Sequence, residues 1–128
     1  MGNSGAIRDP LTYEIIGAAI EVHRALGPGM LESAYQECMG HELTLRNILF
    51  AREVPLPLVY KGTRLNAIYK LDLLVADTVV VELKTVDHVL PVHEAQLLSY
   101  MRLSGKRVGL LINFHAPVIN DGIKRMLL

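Results

Sequence analysis

The chain has 128 residues, a usual length for one domain and short for two. Apolar residues make up 51% with a mean hydropathy of +0.30, enough for a dense core and some apolar surface for a partner. Thirteen basic residues balance thirteen acidic ones, which excludes whole-chain attraction to nucleic acid, and one cysteine, Cys38, excludes an intrachain disulfide and a cysteine zinc site.

Residues 1–8 read as a disordered leader. The start Met1-Gly2-Asn3-Ser4-Gly5-Ala6 has Ala6 where a myristoylation site needs Ser or Thr. No run approaches the roughly 18 apolar residues of a membrane span, and the start is no signal peptide. The expectation is a soluble, cytoplasmic protein without membrane contact, with a single domain over 9–128.

Asp9-Pro10 starts the first helix as a cap followed by a first-turn proline. Its apolar stripe is Ile15, Ile16, Ala19, Ile20, Val22, Ala25 and Leu26, and Gly27-Pro28-Gly29 stops it. A second helix follows from about Met30 to Arg46. The period then changes to two. Phe50 to Val59 reads as an edge strand, because Pro55 and Pro57 cannot donate to a ladder. Lys61-Gly62-Thr63 turns into Leu65–Val75, and Thr78–Val86 is apolar enough to be a central strand. Pro91 opens a third helix through Leu103, closed by Ser104-Gly105, and Val108–Phe114 is another buried strand. After Pro117 a short strand or irregular return is expected. The order α-α-β-β-β-α-β gives an α/β or α+β sandwich with a mixed sheet.

Three charges interrupt the two most apolar strands: Asp72 in Leu71–Val75, and Glu82 and Lys84 in Val79–Lys84. Burying an unpaired charge costs several kcal/mol, so three such placements call for a function or an ion-pair network. Glu82 and Lys84 share one strand face. With Ala76-Asp77-Thr78 as a three-residue loop and Val75 opposite Val79, Asp72 falls opposite Glu82, with Cβ atoms about 4.5–5.5 Å apart. A two-residue loop would send the carboxylates to opposite faces. Carboxylates that close repel unless a cation lies between them, and an all-oxygen donor set suits Mg²⁺ or Mn²⁺ rather than zinc. Asp72, Glu82 and the Leu83 carbonyl could hold that ion. Lys84 could orient water and offset charge at a reacting phosphate. A buried structural ion-pair network, in which Lys84 neutralises one carboxylate, fits the same spacing.

Asp72 followed by Glu82-Leu83-Lys84 resembles the D…ExK signature of the PD-(D/E)XK nuclease superfamily, with Leu71 in place of its proline. Gly29-Met30-Leu31-Glu32-Ser33-Ala34-Tyr35 is similar to the G-x-x-E-x-x-Y element of the GxxExxY family within it. The resemblance runs from about Ile15 to the C-terminus and includes Glu21-Val22-His23-Arg24 and Leu110–Phe114. It implies a restriction-endonuclease-like αβββαβ core with a mixed central sheet flanked by helices. It also implies that Glu32 approaches the metal from the preceding helix. Gln96 and Tyr100, four apart on one face of helix three, resemble a Q-x-x-x-Y element that contacts nucleic acid. Without the resemblance, Glu32 and Gln96 read as solvated residues and Tyr100 as core.

Other residues carry less. His93 and Glu94 could line the same cleft, His23 is expected to pack near the Gly27–Gly29 turn, and neither histidine has zinc spacing. Gly27-Pro28-Gly29 lacks the Lys-Ser/Thr of a phosphate-binding loop. Lys106-Arg107 with Arg102 is the best local basic patch. Cys38 reads as a small core residue. The leading expectation is a Mg²⁺- or Mn²⁺-dependent nuclease acting on nucleic acid, DNA ahead of RNA. The alternatives are a non-catalytic nucleic-acid- or protein-binding module that keeps the fold, and a structural oligomer with buried ion pairs. A homodimer through Leu56, Leu58 and Met126-Leu127-Leu128 would double the surface available to a polymer.

Overall fold

The side chain of Asp9 accepts from the Leu11 N–H (3.2 Å) and the Thr12 hydroxyl (2.7 Å), and Pro10 follows it in the first turn. In the computed structural model, which describes residues 9–128 apart from the side chains of Ala67 and Ile68, this cap begins helix α1, Pro10–Leu26. The leader and its myristoylation-like start lie outside the described residues. Helix α2, Glu32–Leu45, is tied back to α1 by Arg46, which pairs with Glu14 (2.9 Å) and Glu42 (3.0 Å). The turn between the helices is fixed by Tyr35. Its hydroxyl donates to the Gly27 carbonyl and accepts from the Met30 N–H, and its ring stacks on Phe114 with centroids 4.4 Å apart. Gly29 takes φ +102°, which a side chain would resist.

Five strands form one sheet in the order β1-β2-β3-β4-β5: Phe50–Tyr60, Thr63–Val75, Val79–Lys84, Val108–Asn113 and Ile123–Leu127. Neighbours are antiparallel except β3 and β4. That parallel pair is joined by helix α3, Pro91–Ser104, the usual solution for a parallel connection. The proline-bearing β1 is an edge strand, as its missing N–H groups require. The tail resolves into a 3₁₀ turn, Ile119–Gly122, and the opposite edge strand. The sheet is mixed and helices cover both faces, the architecture expected from the resemblance.

Two apolar layers divide at the sheet. Leu73, Val75, Val79, Val81, Leu83, Leu110 and Ile112 pack against α1 and α2, whereas Leu56, Leu71, Val80 and Leu111 pack against α3. Gly109 lets α3 lie close, since a Cβ there would come within 2.6 Å of Met101 Sδ. Within β2, Leu73 and Leu71 are two apart yet face opposite layers, and in β1 Phe50 and Val54, four apart, also face opposite layers. Strict alternation forbids this. The exchange of faces coincides with Glu53, whose φ of +49° is left-handed and which falls at the level of Asp72. Beyond that level, among the described residues, β1 and β2 pair only with each other and form a two-stranded arm beside α3.

Two expectations are corrected. The ring of His23 reaches the Ala116 carbonyl (2.8 Å) across the fold instead of packing on the Gly27–Gly29 turn. Leu56 is 6% exposed in the core under α3 and Met126 packs against the same layer, so both serve the chain's own core; Leu127 and Leu128 are exposed. Cys38 is half-buried against the core. Among the described residues, no helix is long and apolar enough to cross a membrane.

The β2–β3 turn holds Ala76 and Asp77 at φ +51° and +57°, closed by the Thr78 N–H to the Val75 carbonyl (3.0 Å). An L-alanine in this region costs about 1–2 kcal/mol, and glycine avoids that cost at some expense in chain entropy. Ala76→Gly should therefore stabilise the protein by roughly 1 kcal/mol in urea unfolding. A lower midpoint would show that the turn is not strained.

Candidate active site

The turn sets the register. Val75 pairs with Val79, Leu74 with Val80 and Leu73 with Val81, which carries Asp72 to the level of Glu82. Regular pairing ends there. The two carboxylates take over from the ladder: Asp72 Oδ2 accepts the Leu83 N–H at 2.8 Å, and Glu82 Oε1 accepts the Asp72 N–H at 3.2 Å. Strands β2 and β3 part beyond this point, while β3 stays paired to β4 as far as Lys84 and Asn113. The acidic residues therefore sit in the notch between a diverging strand and a fixed one.

Glu82 is 5% exposed, and burial first, then the nearby Asp72 carboxylate, pushes its pKa up to about 8. Asp72 is half-buried and raised mainly by desolvation, against the Leu83 amide and the Lys84 charge, with Glu53 adding to the rise. Glu32 is the first residue of α2, at the end of the turn that Tyr35 holds. Its carboxyl is raised by desolvation and feels Lys84 and Asp72. The ammonium of Lys84 donates to Gln96 Oε1 at 3.3 Å, and Lys84 forms no ion pair among the described residues. Tyr100 is buried beneath the same notch, its pKa raised by desolvation and then by Glu82. The fold thus brings together Glu32, Asp72, Glu82, Lys84, Gln96 and Tyr100. Leu83 contributes its amide, and its side chain fills the α1/α2 layer.

Other candidates lie elsewhere or serve the fold. His93 lines the same groove as Gln96 and Tyr100, as expected, while its Nδ1 accepts the Leu90 N–H (2.9 Å) and caps α3; Glu94 instead pairs with Lys124 (3.1 Å). Lys106 of the basic patch is drawn to Asp77 (3.2 Å). Glu53 went unseen in the sequence. It lines a small cavity of about 210 Å³ together with Glu32, Asp72 and Leu83. A left-handed residue within a strand is a strained conformation of the kind concentrated at functional sites.

No three His, Cys, Asp or Glu side chains among the described residues form a ready metal cage. The donor set nevertheless fits a hard divalent ion. Asp72 and Glu82 share the notch, Glu32 and Glu53 border it, and every donor is oxygen.

The raised Glu82 pKa has a signed consequence. Between its ordinary value of 4.5 and about 8, the folded protein keeps a proton that the unfolded chain releases. Stability should therefore be greatest at the acid end of that window, fall as pH rises through it and level off above. Urea unfolding across this range with a chelator present should show the fall, and Glu82→Gln should remove most of it. An equal slope in the variant would assign the proton to another group.

A protein-family profile described as the PD-(D/E)XK nuclease superfamily matches residues 9–126. No curated protein and no solved structure matches the chain. Nucleases of this superfamily generally hydrolyse phosphodiester bonds with divalent metal ions such as Mg²⁺. The profile spans nearly the whole sequence and agrees with the mixed sheet and its flanking helices, so the chain belongs to the PD-(D/E)XK nuclease superfamily.

Proposed function

We propose that this protein is a Mg²⁺- or Mn²⁺-dependent nuclease of the GxxExxY branch that hydrolyses phosphodiester bonds in DNA. The observation that carries this reading is the state of Lys84. In a structural ion-pair network its ammonium would neutralise Asp72 or Glu82; instead it makes no ion pair and donates to the amide oxygen of Gln96. A half-buried cation held by a neutral partner beside acidic groups stays available to a phosphate.

Asp72, Glu82, the Leu83 carbonyl and Glu32 would hold the metal ion, which when bound would polarise a phosphate oxygen. The remaining roles belong to the chain. Lys84 orients the attacking water and offsets the charge that grows on the phosphate oxygens, an interaction stronger in the transition state than before it. Gln96 fixes the position of Lys84, and Tyr100 closes the notch from below. The Leu83 N–H keeps the Asp72 carboxylate from swinging out. Glu53 supplies additional negative charge at the outer edge of the site.

Cleavage of labelled single-stranded, duplex and branched DNA in Mg²⁺ or Mn²⁺ tests this reading. Lys84→Ala should keep the fold and lose activity by about 10²-fold or more, the scale for removing one preorganised charge-stabilising group. Glu32→Gln and Glu53→Gln should lose less. Calorimetric titration should show Mn²⁺ binding to wild type that Asp72→Ala lacks. Full activity in a folded Lys84→Ala protein, or unchanged Mn²⁺ affinity in Asp72→Ala, would defeat the assignment.

A further inference from the structure

A groove of about 620 Å³ lies between the β1–β2 arm and α3, within the range of roughly 300–1,000 Å³ used by small ligands. Leu58 and Tyr69 come from the arm, and Val92 and Leu103 from the helix. Gln96 and Tyr100 belong to the groove and to the acidic notch alike, so the groove opens directly beside the Lys84 ammonium. Tyr100 is 8% exposed and forms the floor. The Tyr69 ring stands 5.7 Å from it at 46°, and the residue is 43% exposed. Val92, at 64%, is more open still. No acidic side chain is among the lining residues.

We infer that this groove takes an unpaired nucleobase flanking the scissile phosphodiester, with Tyr69 as its stacking platform, so that the preferred substrate is single-stranded. The inference rests on the nuclease reading for what lies at the groove's inner end. An occupant that begins at Lys84 and Gln96 carries a phosphate there, and its adjoining part must suit aromatic and aliphatic walls without acidic groups. A nucleobase has that chemistry, since each has a flat face that stacks on tyrosine. In a duplex both faces are already covered by neighbouring bases, and lifting one out costs a few kcal/mol. The balanced charge of the chain points the same way. With little net attraction for phosphates, affinity must draw on stacking, and its salt dependence should be shallow.

The test is direct binding without divalent ions, so that nothing is cut, followed by anisotropy of labelled 15-mers. Single-stranded DNA, single-stranded RNA of the same sequence, blunt duplex DNA and an abasic DNA strand are compared. Unpaired DNA should bind about 10-fold or more tighter than duplex or abasic strand, as a stacked base contributes roughly 1–3 kcal/mol. The RNA arm separates the two sources of an unpaired base, and stacking alone predicts binding to both. Tyr69→Ala should lose about 10-fold on the unpaired strands with an unchanged salt slope, and Tyr69→Phe should retain binding. Val92→Glu, at a well-exposed position, tests the groove without touching the Tyr69–Tyr100 pair and should also weaken binding. Equal binding of normal and abasic strands, preference for duplex, or wild-type affinity in both Tyr69→Ala and Val92→Glu would overturn the inference. The two readings fail separately. Cleavage confined to duplex sinks this one and leaves the nuclease, whereas Tyr69-dependent binding without cleavage supports this one and removes the nuclease.

Discussion

The structure turns on one exchange of hydrogen bonds. Where β2 and β3 stop pairing, the backbone amides of Asp72 and Leu83 need other acceptors, and the carboxylates of Glu82 and Asp72 provide them crosswise. Strand separation and acid placement are thus a single event. Without the carboxylates, the parting strands would leave amides unsatisfied; without the parting, the acids would lie flat on a closed sheet under α3. The arrangement keeps two carboxyl groups side by side, Glu82 buried and holding its proton up to about pH 8, with Lys84 held near them without forming an ion pair.

The rest of the fold locates that notch. Helices α1 and α2 bring Glu32 to its rim because Tyr35, buried against Phe114, grips both the Gly27 carbonyl and the Met30 amide. Within the Gly29-to-Tyr35 element the glycine makes the bend, the tyrosine locks it, and the glutamate is the part that is aimed. On the opposite face Gly109 admits α3 closely enough for Gln96 to reach Lys84. Two helical layers that share no side chain converge on the same four or five polar groups.

Most of this was legible in the sequence. The edge position of β1 and the extents of the helices followed from local patterns with strong physical causes, whereas the sequence left two turn lengths open and the pairing of Val75 with Val79 selects the one that sets Asp72 at the level of Glu82. Ala76 and Asp77 take the left-handed turn conformation without a glycine, which makes the turn costlier. Glu53 was not legible, for a geometric reason. Counting back from the Tyr60–Thr63 turn, straight pairing sets Glu53 against Lys70, an unremarkable surface pair. The irregularity between Pro57 and Leu58 shifts the register by two and moves Glu53 to the level of Asp72. The exchange of faces at that level was hidden as well, because an apolar residue reads the same whichever layer receives it. His23 failed similarly, since its partner carbonyl at Ala116 is remote in sequence.

The arm beyond Glu53 is held by its own two strands and by α3, and among the described residues no third strand pairs with it. In such a ribbon, local opening has its own free energy, well below that of unfolding the sheet. The distal part of β1 and β2 can therefore breathe while the Val79–Lys84 strand, paired along its whole length to β4, stays shut. Amide protons on the two sides of one notch then belong to different exchange classes: slow on the wall that carries Glu82 and Lys84, fast on the wall that carries Tyr69.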